Sequence, residues 1–428
     1  MTEIRIRPRE RDAIIQSLRA GVVPRTGLQH IQVGRASEIE SLVRDLDRIV
    51  DGGSTCRFII GDYGSGKTFF LTLVRLLAIK KKLLTAHCDL NPDRRLHATG
   101  GQARSLYAEL MRNLSSVSRP DGGAIEGVVQ RFVTSAADES RGMNAAVNDV
   151  ISRRLSSLRE LVGGYDFADV IERYWTAHEA GDADVMSNAI RWLRAEFATR
   201  TDARTALGVR TIIDDDNVYD HLKLFALFVR LAGLGGLVIC LDECVNLYKL
   251  GSAQARTSNY EQILRILNDS LQGSAAGLGF LFSGTPEFLL DPRRGLYSYP
   301  ALASRLEDNS FAREGLLDFN APVIRLSNLT REDFFVLLNN LRHVFACGEA
   351  SNYLVPYEAL TSFMAHCTKK IGDAYFRTPR TTIRAFLSLL SILEQNPAAD
   401  WKDLIEDVDI EKDTAPDDDD NGLTTIRI

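Results

Sequence analysis

The segment Gly61-Asp62-Tyr63-Gly64-Ser65-Gly66-Lys67-Thr68 reads G-x-x-x-x-G-K-T and directly follows the apolar run Phe58-Ile59-Ile60. A strand that ends in such a loop and opens into a helix is the setting in which this pattern binds phosphate. The residue types follow from the chemistry. Glycines let successive backbone N–H groups curl around phosphate oxygens, and Lys67 supplies a point charge at the β and γ phosphates. Thr68 is the expected Mg²⁺ ligand through its hydroxyl. From Phe69 to Ile79 the chain lacks Gly and Pro, so a helix starting at the loop aims the positive end of its dipole at the phosphates. The candidate cofactor-binding residues are Gly61, Asp62, Tyr63, Gly64, Ser65, Gly66, Lys67, Thr68 and Phe69. The expected cofactors are ATP and Mg²⁺.

A second run, Gly235-Gly236-Leu237-Val238-Ile239-Cys240-Leu241, ends in Asp242-Glu243. It reads as a central parallel strand with acids at its carboxyl end, where ligands of open α/β sheets bind. Asp242 is then the candidate to order Mg²⁺. Glu243 is the candidate base, which must reach the proton it takes. A strand that merely happens to end in acids is a common accident, but less so behind a phosphate loop in the same chain.

A third run, Gly277 to Phe282, leads into Ser283-Gly284-Thr285-Pro286-Glu287. A hydroxyl here is where ATPases of the AAA+ class carry a sensor for the γ-phosphate; Ser283 is the first candidate and Thr285 stands beside it. The same residues also suit a plain turn. Charge developing on a transferred phosphoryl group needs a cation placed in advance. Arg305 is the candidate finger reaching a neighbouring subunit, with Arg313 close behind it and Arg293-Arg294 more distant. Arg380, beside Pro379 at a helix start, is the candidate second sensor.

Upstream, residues 8 to 20 read as an amphipathic helix on Ile14, Ile15 and Leu18. Gly34 and Arg35 belong to a candidate adenine-side element, with Arg35 equally readable as a surface residue. Ser37 and Glu40 fit a capping box for the helix that follows. Residues 125–215 show helical rather than strand periodicity and read as a helical insertion, whose Arg153, Arg154 and Arg159 are either partner-binding or ordinary surface residues. Lys80-Lys81-Lys82 reads as a solvated helix end or a DNA-backbone contact. Asp214-Asp215-Asp216 reads as the acidic start of the helix from Val218, with a metal site the alternative. Past residue 321 only helices are expected.

The fold class is therefore α/β: a P-loop NTPase, AAA+-like parallel sheet core with a helical insertion and a C-terminal helical lid. The expected organisation is an N-terminal helical segment (1–30), the core (31–320) carrying the insertion, the lid (321–412) and an acidic tail (413–428). That tail, with Asp417 to Asp420, reads as solvated chain or as a competitor for a basic channel. The charged start Met1 to Arg7 lacks the apolar stretch of a signal peptide, and no run reaches membrane-spanning length, so a cytoplasmic protein is expected. The six cysteines are scattered and read as free thiols. A net charge of −6 excludes a uniformly basic surface but not a local nucleic-acid groove.

Together the phosphate loop, the segment Cys88-Asp89-Leu90-Asn91-Pro92-Asp93-Arg94-Arg95, the strand end Leu241-Asp242-Glu243, Ser283 to Glu287 and the opening Ala13 to Pro24 resemble the ATP-binding proteins of BREX-type bacteriophage-defence systems. The resemblance implies an AAA+-like ATPase working beside other defence proteins, often near a superfamily 2 helicase, with a role on DNA. The implied partners are a homo-oligomer, double-stranded DNA and a helicase or nuclease of the same operon, with no membrane. The implied function is ATP hydrolysis coupled to assembly on DNA or on that partner. A nucleotide-gated scaffold with negligible turnover is the alternative. A small-molecule kinase is the third class, and no acceptor motif supports it.

Overall fold

The computed structural model describes residues 6–311, 318–377 and 379–410. The chain divides into two compact units, one built from 36–60 and 74–325, the other from the described parts of 1–35, 61–73 and 326–428.

The first unit is built on a five-stranded parallel sheet: β1 (Thr55–Ile60), β2 (Leu84–Asp89), β3 (Leu237–Asp242), β4 (Leu278–Gly284) and β5 (Val323–Arg325), in the order β2-β3-β4-β1-β5. β1, β3 and β4 are buried along their whole length. That burial is why they read mostly as apolar runs rather than alternating ones, with the buried Arg57 an exception in β1. Phe58 stacks on Phe282 at 5.1 Å and Phe280 on Phe282 at 5.8 Å, knitting β1 to β4. β5 was not expected, since only helices were read past residue 321. It is three residues long, too short to show a period, and pairs with β1 at Phe58↔Val323.

Around the sheet lie α3 (Ala36–Val50), the second half of α4 (Lys67–Lys80), α5 (Gln102–Arg112), α11 (Val218–Leu231), α12 (Val245–Tyr248), α13 (Ala253–Gln272), α14 (Pro286–Leu290) and α15 (Pro300–Leu306). α3 starts at Ala36, so Ser37 lies inside the first turn and is not the cap the sequence suggested. The insertion is helical: α6 (Ile125–Met143), α7 (Val147–Arg159), α8 (Gly164–Ala180), α9 (Ala183–Leu193) and α10 (Arg200–Leu207). Their apolar faces join the core of the sheet, with Phe132, Phe167 and Phe228 packed ring to ring. The insertion arginines are engaged at home: Arg153 with Glu139, Arg154 with the Leu231 carbonyl at 2.8 Å and Arg159 with Glu172 at 2.7 Å.

Asp215 corrects another expectation. Its carboxylate accepts from the N–H groups of Gly101 at 2.6 Å and Arg104 at 2.8 Å, so it caps α5 rather than opening the helix that follows it. A carboxylate at that end of a helix meets both orphan donors and the positive dipole. All six cysteines are free, and only Cys347 is not buried. Burial pushes the Cys88, Cys240 and Cys367 thiols up to about 12.

The second unit holds α1 (Pro8–Arg19), α2 (Leu28–Ile31), the phosphate loop with the first half of α4, α16 (Arg331–Phe345), α17 (Tyr357–Ile371), α18 (Ala374–Arg377), α19 (Arg380–Gln395) and α20 (Trp401–Asp407). α1 lies along α19, fixed by Arg11 to Glu394 at 2.5 Å and Arg19 to the Ser391 hydroxyl at 3.1 Å. α16 opens with a reciprocal capping box of Thr330 and Asp333. The acidic tail and Arg313 lie outside the described residues. Among the described residues no helix is long and apolar enough to cross a membrane.

Candidate functional site

In the helical unit the loop leaves β1 at Ile60 and turns through Gly64 and Gly66, at φ of 78° and 79°. Both angles are left-handed, which glycine alone adopts without cost. Gly61 needs its missing side chain for another reason: a Cβ there would stand 3.0 Å from the Leu326 carbonyl oxygen and closer still to the Ser65 hydroxyl. Lys67 Nζ folds back over the start of the loop, donating to the carbonyls of Gly61 and Asp62 at 2.9 Å each. The Ser65 hydroxyl is buried and has no hydrogen-bond partner among the described residues.

This donor set fits a nucleotide polyphosphate. The first turn of any helix leaves N–H groups with no acceptor inside the helix, and here that turn begins at the loop beside an ammonium. Two segments brace the loop. Arg35, itself at φ 60°, donates through one guanidinium nitrogen to the carbonyls of Ser65 and, at 3.2 Å, of Ser327. Its guanidinium also lies 6.0 Å from the Phe70 ring centre. Asn328 donates to the Asp62 carboxylate at 3.2 Å. Gly34, at φ 63°, lies against Asp333. Arg35 is thus brought to the phosphate loop; the Arg380 guanidinium is exposed and packs over Gly21, just past the end of α1. Tyr63 and Thr68 are exposed and Phe69 is half-buried.

In the sheet unit, the carboxyl ends of β2, β3 and β4 gather a polar row. Asp242 is buried and lies in register with Asp89 of β2. Its carboxylate accepts from the Glu243 N–H at 2.9 Å. Glu243 is exposed and sits at φ 55°, a left-handed conformation for a residue with a side chain. Such strain is held only where surrounding structure enforces it and is enriched at functional sites. Here the enforcing bonds are Cys244 N–H to the Ser283 carbonyl at 2.9 Å and Asn246 Nδ2 to the Leu90 carbonyl at 2.8 Å.

Ser283 is fully buried, and among the described residues neither its buried hydroxyl nor that of Thr285 has a hydrogen-bond partner. Either hydroxyl suits the sensor role. Asp89 was missed by the sequence reading, although it ends a strand beside Asp242. Although the residue is exposed, partial desolvation holds its carboxyl above the usual range, and the Asp242 charge adds to this. Arg305 is exposed on α15 and donates to Asn268 and to the Ala301 carbonyl, both at 2.8 Å. Arg294 is occupied by the Leu250 carbonyl and the Tyr248 ring, whereas Arg293 is exposed.

A buried parallel sheet whose strand β1 runs into a G-x-x-x-x-G-K-T loop, with an acidic pair closing β3, defines an α/β protein with a P-loop NTPase-like core. The family that matches is described as BREX system ATP-binding protein BrxC/D, and the match spans residues 6–409. The chain belongs to that family, whose members bind ATP. No match is found among curated proteins.

Proposed function

We propose that this BREX-family protein hydrolyses ATP and couples its nucleotide state to assembly on DNA or on a helicase or nuclease partner. The observation that carries the reading is the acidic pair: Asp242 buried at the end of β3, and Glu243 beside it, exposed and strained. A sheet needs neither a strained turn nor a buried carboxylate there for stability. In this reading Lys67 and the loop N–H groups bind the phosphates, and Thr68 and Asp242 hold Mg²⁺, which screens phosphate charge when bound. Glu243 takes the proton of the attacking water. Ser283 orients the reacting end, Arg380 acts as a second sensor, and Arg305 reaches a neighbouring copy in an AAA+-like homo-oligomer.

The test is steady-state ATP hydrolysis across a protein-concentration series, with and without double-stranded DNA, against Glu243→Gln. Loss of the general base is expected to slow turnover by about 10²–10⁴-fold. Wild-type turnover that rises with concentration and DNA supports the shared-site reading; turnover that survives Glu243→Gln would sink it. One observation favours a second reading, the nucleotide-gated scaffold: Arg35 joins the loop at Ser65 to the start of the lid at Ser327. That reading expects Lys67→Ala to abolish partner binding and Glu243→Gln to leave it intact.

A further inference from the structure

The chain is acidic overall, with a net charge of −6, yet the stretch from Ala374 to Leu393 contains Arg377, Arg380 and Arg384 and no carboxylate. All three arginines are exposed. On α19, Arg380 and Arg384 are one turn apart, about 6 Å along the axis, and share a face. Ser391 lies within about 40° of that face further along, at 100° per residue. There it receives Arg19 from α1 at 3.1 Å, which extends the basic strip along the helix. Arg380 packs over Gly21, where even a methyl group would stand 2.8 Å from a guanidinium nitrogen, so this glycine joins the end of α1 to the same strip.

Cations at this end of a helix oppose the macrodipole, and the first turn of α19 carries no acid to offset them. Among the described residues the carboxylate pairing in this stretch is Arg377 to Asp373, an exposed contact at 3.7 Å that contributes little. Arg377 keeps its pairing with Asp373, and Arg380, Arg384 and Arg19 form a row of exposed guanidinium groups beside it. The complement of that row is a row of fixed negative charges.

We propose that this strip docks the phosphate backbone of a nucleic acid. The inference deepens the reading that the protein assembles on DNA, and rests on it. Guanidinium groups bind phosphate bidentately, and each phosphate contact releases counterions, so the binding is salt-dependent and indifferent to base sequence.

The test uses the full chain and Arg377→Ala/Arg384→Ala, titrated onto fluorescent duplex and single-stranded DNA of random sequence over roughly 50 to 200 mM salt. Binding of a fluorescent ATP analogue is followed in parallel. The variant is expected to lose about tenfold or more in DNA affinity and about two units of the log–log salt slope, with unchanged analogue affinity. Arg384→Lys should retain the slope. The duplex and single-strand arms show which form the strip accepts, and binding of either supports it. Undiminished DNA binding in the variant overturns the surface assignment and leaves the DNA reading standing. An equal loss of analogue affinity assigns the strip to the nucleotide and overturns the proposal. A wild-type chain that binds neither DNA overturns both.

Discussion

Arg57 and Asp45 form an ion pair at 2.6 Å between β1 and α3, with side chains only 6% and 2% exposed. Arg57 also donates to the Ala321 carbonyl, and the Phe58 N–H donates to Pro322 at 2.8 Å, so the same spot fastens the segment entering β5. Arg57→Ala would strand a buried carboxylate whose remaining cation, Arg48, lies 3.5 Å away and is largely in solvent. Removing one partner of a buried pair costs about 3–5 kcal/mol, because the other charge keeps its desolvation penalty. That corresponds to roughly two to four powers of ten in the folding equilibrium. Replacing both, as Arg57→Met with Asp45→Leu, removes the penalty along with the attraction and is expected to cost less than about 1 kcal/mol. Urea denaturation followed by tryptophan fluorescence measures all three proteins. If the single variant loses under about 1 kcal/mol, or the double variant loses as much as the single, the charge in this core is not held as argued.

Other outcomes are expected. Gly61→Ala should weaken ATP-analogue binding by about tenfold through a clash of the order of 1–3 kcal/mol, and calorimetric titration checks it. Asp215→Ala should lower stability by about 1 kcal/mol through loss of the α5 cap, read from thermal melts. Native protein treated with a chromogenic thiol reagent should expose one thiol, Cys347, and the remaining five only on denaturation, since burial raises their thiol pKa or closes access. Asp89 is an acid whose folded carboxyl stands above its ordinary value, so the folded chain holds that proton more tightly than the unfolded one. Its contribution favours the fold at low pH and is lost as pH rises through the raised value. Asp89→Asn should therefore be the more stable protein at neutral pH, with the difference closing below the ordinary carboxylate pKa in a pH series of melts.

What was legible in the sequence was whatever its local pattern enforces. The strands β1, β3 and β4 are buried on both faces and therefore wrote themselves as apolar runs; the phosphate loop needs glycine at two left-handed positions and wrote them too. What escaped depends on pairs that only the fold brings together. Asp215 caps a helix 114 residues upstream, Asn328 reaches Asp62 across 266, and neither spacing carries a period. β5 draws its identity from Phe58 and Ile60 rather than from its own three residues. Ser37 shows the converse error: a local capping pattern was present, but the helix began two residues sooner, at Ala36 rather than Glu38.

The clasp made by Arg35 implies how this unit breathes. With the Ser65 and Ser327 carbonyls on one guanidinium, neither segment can open without releasing the other. Residues 61–68 and 326–330 should therefore exchange their amide protons as a single foldon, and Arg35→Ala should split it into two with separate rates.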